Sequence, residues 1–411
     1  MKKLLILLVL NSCLAVFSQK NLDLKGMVVD NNQQPIQYAS VSVPKLYLVT
    51  STTEEGKFSL SLADINFDLK DIIEISSFGH PTRKLTIQDY LDLNDKAIVI
   101  GGDIPQKNKV NTIKKINRSK VAKTEVVKHH IETSEKSAKD YVEMAYASIV
   151  KNTINTPHEL SMLYRRFSVE NNKARFLVEH CMSVLDKGPL NGNYKGSKIQ
   201  SGRKSQDHRL IKKKMIGHPV NQVAKKDPLR EGVNFDDYDW RFKGNSSYDG
   251  EDIVIVEGWQ KDSNSKYIRY YIGTKTFGVY KIEKAHLNSV FIYRKDENGK
   301  LHLSYHNRTR TSKAELSPEQ KRILKTNKYY VTESYKHEVF VLGVKKLIPK
   351  KYDRSIYKFH KEDIGDIDIT YTPSFWRKLN LPPSTAFYKE SVKELEKISG
   401  ASIQKQFRRV N

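Results

Sequence analysis

Short segments of alternating apolar and polar residues dominate the first hundred positions. Seven of them follow one another between Leu22 and Ile100, separated by turn signals such as Asn31-Asn32 and Gly56. A period of two places successive side chains on opposite faces of a strand. Short strands at regular spacing are typical of sandwiches. The pattern therefore predicts an antiparallel β-sandwich at the start of the chain.

Longer alternating segments dominate the second half of the chain. The stretch "LSMLYRRFSVENNKARFLVEHCMSVLD" predicts a β-hairpin that turns at Asn171-Asn172, and four later segments continue it as a meander. Three stretches have helical periodicity instead: "SEKSAKDYVEMAYASIVKNTINT", the segment that starts at Ser317, and about Thr385–Ser399. Ser317 and Gln320 have the spacing of a capping box. We expect a mostly antiparallel sheet with a few helices.

The two halves are separated by a change in composition. The stretch "KVNTIKKINRSKVAKTEVVKHH" is basic and aromatic-free, and it lacks a sustained apolar face. We therefore predict a signal peptide over residues 1–19, a sandwich over 20–103, a basic linker over 104–134 and an α+β antiparallel-sheet domain over 135–411. The fold class is mainly β.

The first 19 residues have the pattern of a secretory signal. Lys2 and Lys3 precede an apolar run that is too short to span a membrane as a helix, and small residues follow it. We expect an exported protein, located in the periplasm or associated with the outer membrane. An alternative is lipidation of Cys13, because "LNSC" is a loose bacterial lipobox. Either cleavage leaves Cys181 as the one interior cysteine, and its strand-like surroundings predict a buried structural thiol.

The chain is strongly basic. It contains 71 Lys and Arg residues against 47 Asp and Glu residues, a formal net charge of +24. An exported protein seldom meets nucleic acid, so we expect no nucleic-acid partner. The anions of a bacterial envelope, such as anionic lipid and lipopolysaccharide, attract Lys and Arg clusters at long range. The alternative is that the charge serves solubility alone.

One segment concentrates this charge. The stretch "YKGSKIQSGRKSQDHRLIKKKMIGHP" reads as a long loop between strands, and long loops in ordered domains often carry function. It predicts a polyanion-binding site, and a solvated loop is the alternative. The predicted binding residues are Arg203, Lys204, Arg209, Lys212, Lys213 and Lys214.

Motifs for catalysis are weak. His129 and Glu132 have the spacing of a zinc peptidase pair but lie in the basic linker, and His302 and His306 read as ordinary strand residues. The acidic groups at 236–239 and 362–368 do not follow the spacing of a calcium loop. The chain has neither a phosphate-binding glycine loop nor a serine-nucleophile elbow. We therefore predict no enzyme activity, no catalytic residue, no cofactor and no metal site.

The first hundred residues resemble a known family. Glycines and alternating apolar residues recur as in the carboxypeptidase-regulatory-like domain, a transthyretin-like sandwich of exported Bacteroidota proteins; they are Gly26, Val28, Asp30, Pro35, Ile36, Ala39, Ser40, Val41, Thr53, Glu55, Gly56, Phe58, Leu60, Asp71, Ile73, Ile75, Ser76 and Gly79. "GVYKIE" and "DITYTPSFWRKLNLPPSTAFYKESVKELEKISG" resemble the uncharacterised domain that often follows it. The resemblance implies an accessory module without peptidase residues.

These observations favour an exported, non-catalytic binding or adaptor protein whose partner is an envelope component or another protein. The alternative is a periplasmic carrier or chaperone for a lipid or lipoprotein, with an open half-barrel as its second domain. A continuous apolar groove distinguishes the carrier from the adaptor.

Overall fold

The computed structural model describes residues 22–46, 48–63, 65–101, 136–212, 216–249, 251–263, 265–348 and 351–410. The predicted signal peptide with Cys13, and the predicted linker with His129 and Glu132, lie outside these ranges. The chain divides into two compact units. The first comprises Met1–Ile75, Arg83–Ile100 and Asn380–Thr385, and the second comprises Ser76–Thr82, Gly101–Leu379 and Ala386–Asn411.

The N-terminal region forms two small sheets. Strands β1 (Asp23–Val29), β4 (Lys57–Ser61) and β7 (Ala97–Val99) form one in the order β4-β1-β7. Strands β2 (Ser40–Val43), β3 (Leu48–Ser51), β5 (Ile72–Ser77) and β6 (His80–Thr86) form the other in the order β3-β2-β5-β6, and helix α1 (Ile87–Leu91) follows β6.

Both small sheets contribute side chains to one apolar core. Leu24, Phe58 and Leu60 come from the first sheet, and Val41 and Ile73 come from the second. The predicted transthyretin-like sandwich is not confirmed. β1 pairs with β7 in parallel, so the region is not the purely antiparallel arrangement that alternation predicts.

The second unit is built on a ten-stranded sheet in the order β10-β9-β8-β17-β16-β15-β14-β13-β12-β11, and every neighbouring pair is antiparallel. The predicted mostly antiparallel sheet with a few helices is thereby confirmed. The strands are β8 (His158–Glu170), β9 (Lys173–Asp186), β10 (Ser197–Lys204), β11 (Tyr238–Tyr248), β12 (Glu251–Gln260), β13 (Tyr267–Gly273), β14 (Val279–Lys284), β15 (Ser289–Lys295), β16 (Leu301–Glu315) and β17 (Tyr330–Lys346).

The predicted hairpin is present as β8 and β9. Asn171 and Asn172 have φ values of 48° and 64°, the left-handed conformations that a two-residue turn requires. The basic segment differs from its prediction as a continuous loop, because residues 197–204 form the edge strand β10 beside β9.

The chain order makes one connection cross the sheet. β10 and β11 are consecutive in sequence but form opposite edges, so residues 205–237 must pass over one face. Helices α4 (Val220–Lys226) and α5 (Pro228–Glu231) lie in that connection, and α2 (Ala138–Ala147) with α3 (Ile149–Asn152) precedes β8. These four helices bury apolar residues in the same core as alternate residues of the sheet.

The opposite face of β8 and β9 is packed by the C-terminal helices. Helices α8 (Ala386–Ser399) and α9 (Ile403–Val410) contribute Leu395 and Phe407 to a cluster with Phe167 and Leu177. The remaining helices are α6 (Pro318–Leu324), which begins with the predicted Ser317–Gln320 capping box, and α7 (Pro373–Lys378). The helix predicted to start at Ser317 and the helix predicted over about Thr385–Ser399 are both confirmed.

Candidate ligand-binding face of the large sheet

The helix-covered face of β12–β15 is a continuous apolar and aromatic layer. Because the strands are in register, alternate side chains of neighbouring strands stand side by side; Val256 lies opposite Tyr270, which in turn lies opposite Ile282. We call this face the aromatic layer. Its members are at most 5% exposed: Val254, Val256, Ile268, Tyr270, Ile272, Tyr280, Ile282, Phe291 and Tyr293.

Helix α2 covers the β12 and β13 part of the layer with its own apolar side. Ser137 caps the helix by accepting a hydrogen bond from the Asp140 backbone, while the Asp140 carboxylate accepts one from the Ser137 backbone. Tyr141, Val142 and Ala145 point into the core and are 7%, 0% and 1% exposed. The spacing i, i+1, i+4 puts all three on one side of the helix.

Tyr146 and Lys139 make polar contacts between α2 and its surroundings. The Tyr146 hydroxyl donates to the Pro228 carbonyl at 2.9 Å and lies 3.0 Å from the Tyr270 hydroxyl. At the surface, Lys139 Nζ lies 2.7 Å from Asp236 Oδ1. The helix is therefore held mainly by apolar packing, which is the type of contact that an acyl chain also makes.

A buried polar cluster lies beside the layer. Arg230 pairs with both Asp186 oxygens at 2.5 and 3.0 Å and reaches Asp227 at 3.3 Å. The Tyr293 hydroxyl donates to Asp227 at 2.5 Å, and His158 Nε2 lies 3.5 Å from Asp186. Burial raises the pKa of Asp227, although Arg230 opposes the shift. The pKa of Asp186 is lowered because Arg230 and His158 outweigh its desolvation.

The cluster encloses a cavity of about 10 Å³, lined in part by His158, Asp186, Tyr293 and His302. This volume is about that of a single water position. A carboxyl group with a raised pKa is a feature of many acid–base sites. The cavity has room for about one water molecule.

Several histidines gather under the connection that crosses the sheet. His218 Nδ1 accepts a hydrogen bond from the Val220 amide, so the neutral ring carries its proton on Nε2 and donates to His180 Nδ1 at 3.1 Å. The Tyr164 hydroxyl lies 2.6 Å from His337 Nδ1. Burial lowers the pKa of His180 and of His337 to about 3. Within the described ranges, no three His, Cys, Asp or Glu side chains are arranged to hold a metal ion.

The other candidates for chemistry have structural partners. His306 stacks on Phe291 with ring centroids 4.2 Å apart, and its Nδ1 lies 3.0 Å from the Val290 carbonyl. Among the acidic groups, Asp363 pairs with both terminal nitrogens of Arg166 at 2.7 and 3.0 Å. Cys181 is buried as predicted, and burial raises the pKa of its thiol to about 12.

The predicted polyanion-binding residues are not gathered on one surface. Arg203 and Lys204 are consecutive on β10 and point to opposite faces. Arg203 Nε lies 2.5 Å from Glu179 while its guanidinium covers the Trp376 ring at 4.0 Å.

The other members of the set differ in the same way. Lys204 Nζ donates to the Gly365 carbonyl at 3.1 Å. Arg209 pairs with both oxygens of Asp207 at 2.9 Å. Lys212 is exposed, and Lys213 and Lys214 lie outside the described residues. Polyanion binding by this set stays a prediction.

Sequence reasoning missed the helices of the crossing connection. Their signal is local: Asp227 accepts a hydrogen bond from the Leu229 amide at 3.0 Å, Pro228 occupies the first turn, and Gly232 ends the helix with φ of 78°. In the described part of the chain, no helix is both long enough and apolar enough to cross a membrane.

No family model and no curated protein matches this sequence. Among solved structures, the chain is similar to a putative outer membrane lipoprotein-sorting protein domain from Vibrio parahaemolyticus (9% identity, 53% of this chain and 96% of that chain covered, TM-score 0.28). It is also similar to a DUF1329 family protein from Desulfovibrio piger (12%, 53% and 97%, TM-score 0.25) and a LolA superfamily protein from Nitrosomonas europaea (14%, 54% and 98%, TM-score 0.23). These TM-scores are too low to assign a function.

The resemblance to the carboxypeptidase-regulatory-like domain and its companion domain is wrong. No family model matches the chain. The physical reason is that glycine turns and alternating apolar residues encode strands in general. They do not specify which strands pair, and here β1 pairs in parallel with β7.

Proposed function

We propose that the chain is an exported, non-catalytic envelope protein that carries a lipid, or the acyl chains of a lipoprotein, on the aromatic layer of its ten-stranded sheet. The first 19 residues support export. The observation that carries the proposal is the cover of the layer: over β12 and β13, α2 buries Tyr141, Val142 and Ala145 against it.

Binding by this route requires α2 to move. With α2 in place, the described residues of this face form a filled core rather than an open groove. Displacing the helix exposes apolar surface around Val256 and Tyr270, and an acyl chain in the same position restores the lost burial. The ligand and the helix therefore compete for one surface.

The experiment locks the helix in place. Lys139 and Asp236 form an exposed ion pair between α2 and the segment before β11, so cysteines there are close enough for a short bismaleimide. The double variant Lys139→Cys/Asp236→Cys is made in a Cys13→Ser background. Cys181 does not compete, because it is buried and its thiol pKa is raised to about 12.

The readout is extraction of a fluorescent phospholipid from vesicles, together with native mass spectrometry of the purified protein. We expect extraction by the unmodified protein and by the double variant capped with N-ethylmaleimide, and none by the cross-linked form. Equal extraction by the cross-linked form would place the ligand elsewhere. Absence of lipid from every form, with a polypeptide bound instead, would favour an adaptor.

We also propose that the two small sheets face each other as a β-sandwich. Their shared apolar core supports this arrangement.

A further inference from the structure

One end of the ten-stranded sheet is unusually apolar at its surface. His158 lies opposite both Asp186 and Lys346, and Ser197 lies opposite Val184. The first residues of β8 and β10 and the last residues of β9 and β17 therefore share one end of the sheet. We call it the His158 end. β16 also starts here, since Leu301 bridges Thr153 and the Leu301 carbonyl accepts from the Ile154 amide at 3.2 Å.

Five exposed aliphatic or aromatic side chains project from segments at this end. They are Val150 (61% exposed), Leu190 (57%), Ile348 (60%), Ile356 (40%) and Phe359 (58%). A single exposed apolar side chain is normal on a protein surface, but several at one site mark an interaction surface.

The segment after β17 spans this end of the sheet. The Leu347 amide donates to the Pro157 carbonyl at 3.0 Å, next to β8. Further on, Lys358 and Ser197 exchange two backbone hydrogen bonds of 2.9 Å at the start of β10. Residues 347–348 therefore lie beside the start of β8 and residue 358 beside the start of β10, so Ile348 and Ile356 belong to this end of the sheet.

The same segment is highly basic. Positions 345–361 contain seven Lys or Arg residues and one carboxylate, Asp353. Asp353 Oδ1 already accepts hydrogen bonds from the Ser355 amide and hydroxyl, at 2.8 and 2.7 Å. Six of the cations lie in described positions, and none of these six forms an ion pair with another described residue: Lys345, Lys346, Lys351, Arg354, Lys358 and Lys361.

We propose that the His158 end docks on the headgroup surface of an anionic phospholipid bilayer. Ile348, Ile356 and Phe359 enter the interface, and the surrounding Lys and Arg side chains contact lipid phosphates. A bilayer surface offers both components at once, since phosphates lie above an apolar interior. A hydrophilic polyanion matches the cations and leaves the apolar side chains exposed to water.

This inference goes beyond the carrier function and does not depend on it. A membrane-docking surface serves an adaptor equally well, because it only brings the protein to the bilayer. The two proposals are separated by their readouts, which are sedimentation with intact vesicles here and lipid extraction for the carrier.

The test measures co-sedimentation of the full chain with vesicles of phosphatidylcholine, with and without roughly 30% phosphatidylglycerol. We expect binding to the anionic vesicles that weakens between about 0.05 M and about 0.5 M salt, because the Debye length shortens. Lys351→Glu/Arg354→Glu is expected to weaken binding by about tenfold or more, and Ile348→Ser/Phe359→Ser to weaken it even at low salt.

Matched controls lie at the opposite end of the same strands. Arg322 and Lys325 lie between the end of β16 and the start of β17, so Arg322→Glu/Lys325→Glu makes the same charge change there. Tyr330 is 56% exposed at the start of β17, and Tyr330→Ser is the apolar control. Neither control is expected to alter vesicle binding. Equal losses in the controls, equal binding to neutral vesicles, or binding to free lipopolysaccharide alone would each overturn the proposal.

Discussion

At the scale of single residues, the second unit places many ionised side chains inside its core. Arg230 has a side chain only 5% exposed and lies between Asp186 and Asp227, which are equally buried. Bringing such a pair out of water costs about as much as its attraction returns. Removing one partner is different, because the opposite charge stays behind without compensation.

We therefore expect Arg230→Met to destabilise the unit strongly, by about 3–5 kcal/mol. Two carboxylates would remain buried without their cation. Urea denaturation followed by circular dichroism measures the change. The control is Lys393→Met, since Lys393 and Glu390 are 73% and 69% exposed and an exposed pair contributes about 1 kcal/mol or less. Similar small losses in both variants would contradict the assignment of Arg230 as a core cation.

The buried histidines predict acid sensitivity. Burial lowers the pKa of His180, His306 and His337 to about 3 and that of His302 to about 4 in the folded state. The unfolded state binds a proton near pH 6.5, so it is favoured as the pH falls below that value. Each histidine then removes up to about 1.4 kcal/mol per pH unit until the folded pKa is reached. The stability is present above pH 6.5 and is lost between pH 6.5 and about 3, the folded-state pKa of three of the four histidines.

The measurement is the urea midpoint between pH 7.5 and pH 4.5. His306→Phe keeps an aromatic ring against Phe291 and removes one titrating group, so its stability should fall less steeply with acidification. The slope is the readout, since the lost contact with the Val290 carbonyl lowers stability at every pH. A wild-type midpoint that is flat down to pH 4.5 would show that the folded chain binds these protons as readily as the unfolded chain does.

At the scale of elements, local signals in the sequence predict local structure well. Three predicted features depend on neighbouring residues, and each is present: the Asn171-Asn172 turn, the Ser317 cap and the helix predicted over about Thr385–Ser399. Long-range pairing leaves no such signal, so the position of β17 between β16 and β8 was not predictable. The predicted loop in the basic segment contains a strand, on which Arg203 and Lys204 point to opposite faces. Their side-chain partners, Glu179 and Gly365, are not close to them in sequence, so no local pattern indicates these contacts.

The candidate binding face was predictable only in part. The amphipathic periodicity of 138–152 indicates a helix, but nothing local says that it covers β12 and β13. That position follows from the sheet order, which the sequence does not encode in any short stretch. The exposed apolar side chains of 348–359 are likewise visible in the sequence, yet only the tertiary structure gathers them with Val150 and Leu190.

Helix α8 gives a direct test of burial within one element. Leu395 and Ile398 are three residues apart and lie on the same side of the helix, but Leu395 is fully buried against Phe167 and Leu177 while Ile398 is 43% exposed. Leu395→Ala should cost about 2–5 kcal/mol through lost burial and a residual cavity. Ile398→Ala should cost about 0.5 kcal/mol or less. Denaturation of both variants decides the point, and equal costs would show that α8 is rotated from the described packing.

At the scale of the whole molecule, the cations that give the net charge of +24 lie in different environments. Arg165, Arg166, Arg203 and Arg230 are inside or partly inside the core and are paired with carboxylates. The cations of 345–361 have no such partners among the described residues. The number of basic residues in the sequence therefore overstates how basic the surface is, because several of the arginines are buried and paired. Only the fold shows which cations lie at the surface.

The first unit should fold without the second. All buried members of its core cluster lie between Leu24 and Ile100, so residues 20–103 contain the complete core. Asn380, which lies outside this range, contacts the edge of the core at Ser61. The Ser61 amide donates to Asn380 Oδ1 at 2.6 Å, and Asn380 Nδ2 donates to the Ser61 carbonyl at 3.0 Å. β4 is an edge strand of its sheet, and an edge tolerates the loss of two side-chain hydrogen bonds better than a core tolerates a cavity.

We therefore expect a fragment of residues 20–103 to give a dispersed amide NMR spectrum, with fast hydrogen exchange confined to the neighbourhood of Ser61. The matched variant is Asn380→Ala in the full chain, which removes the same two bonds without removing any chain. Its Ser61 amide should exchange faster while its global stability changes by about 1 kcal/mol or less. A fragment spectrum without amide dispersion would mean that the core of the first unit requires residues 380–385. The Asn380→Ala variant would then be destabilised throughout the first unit.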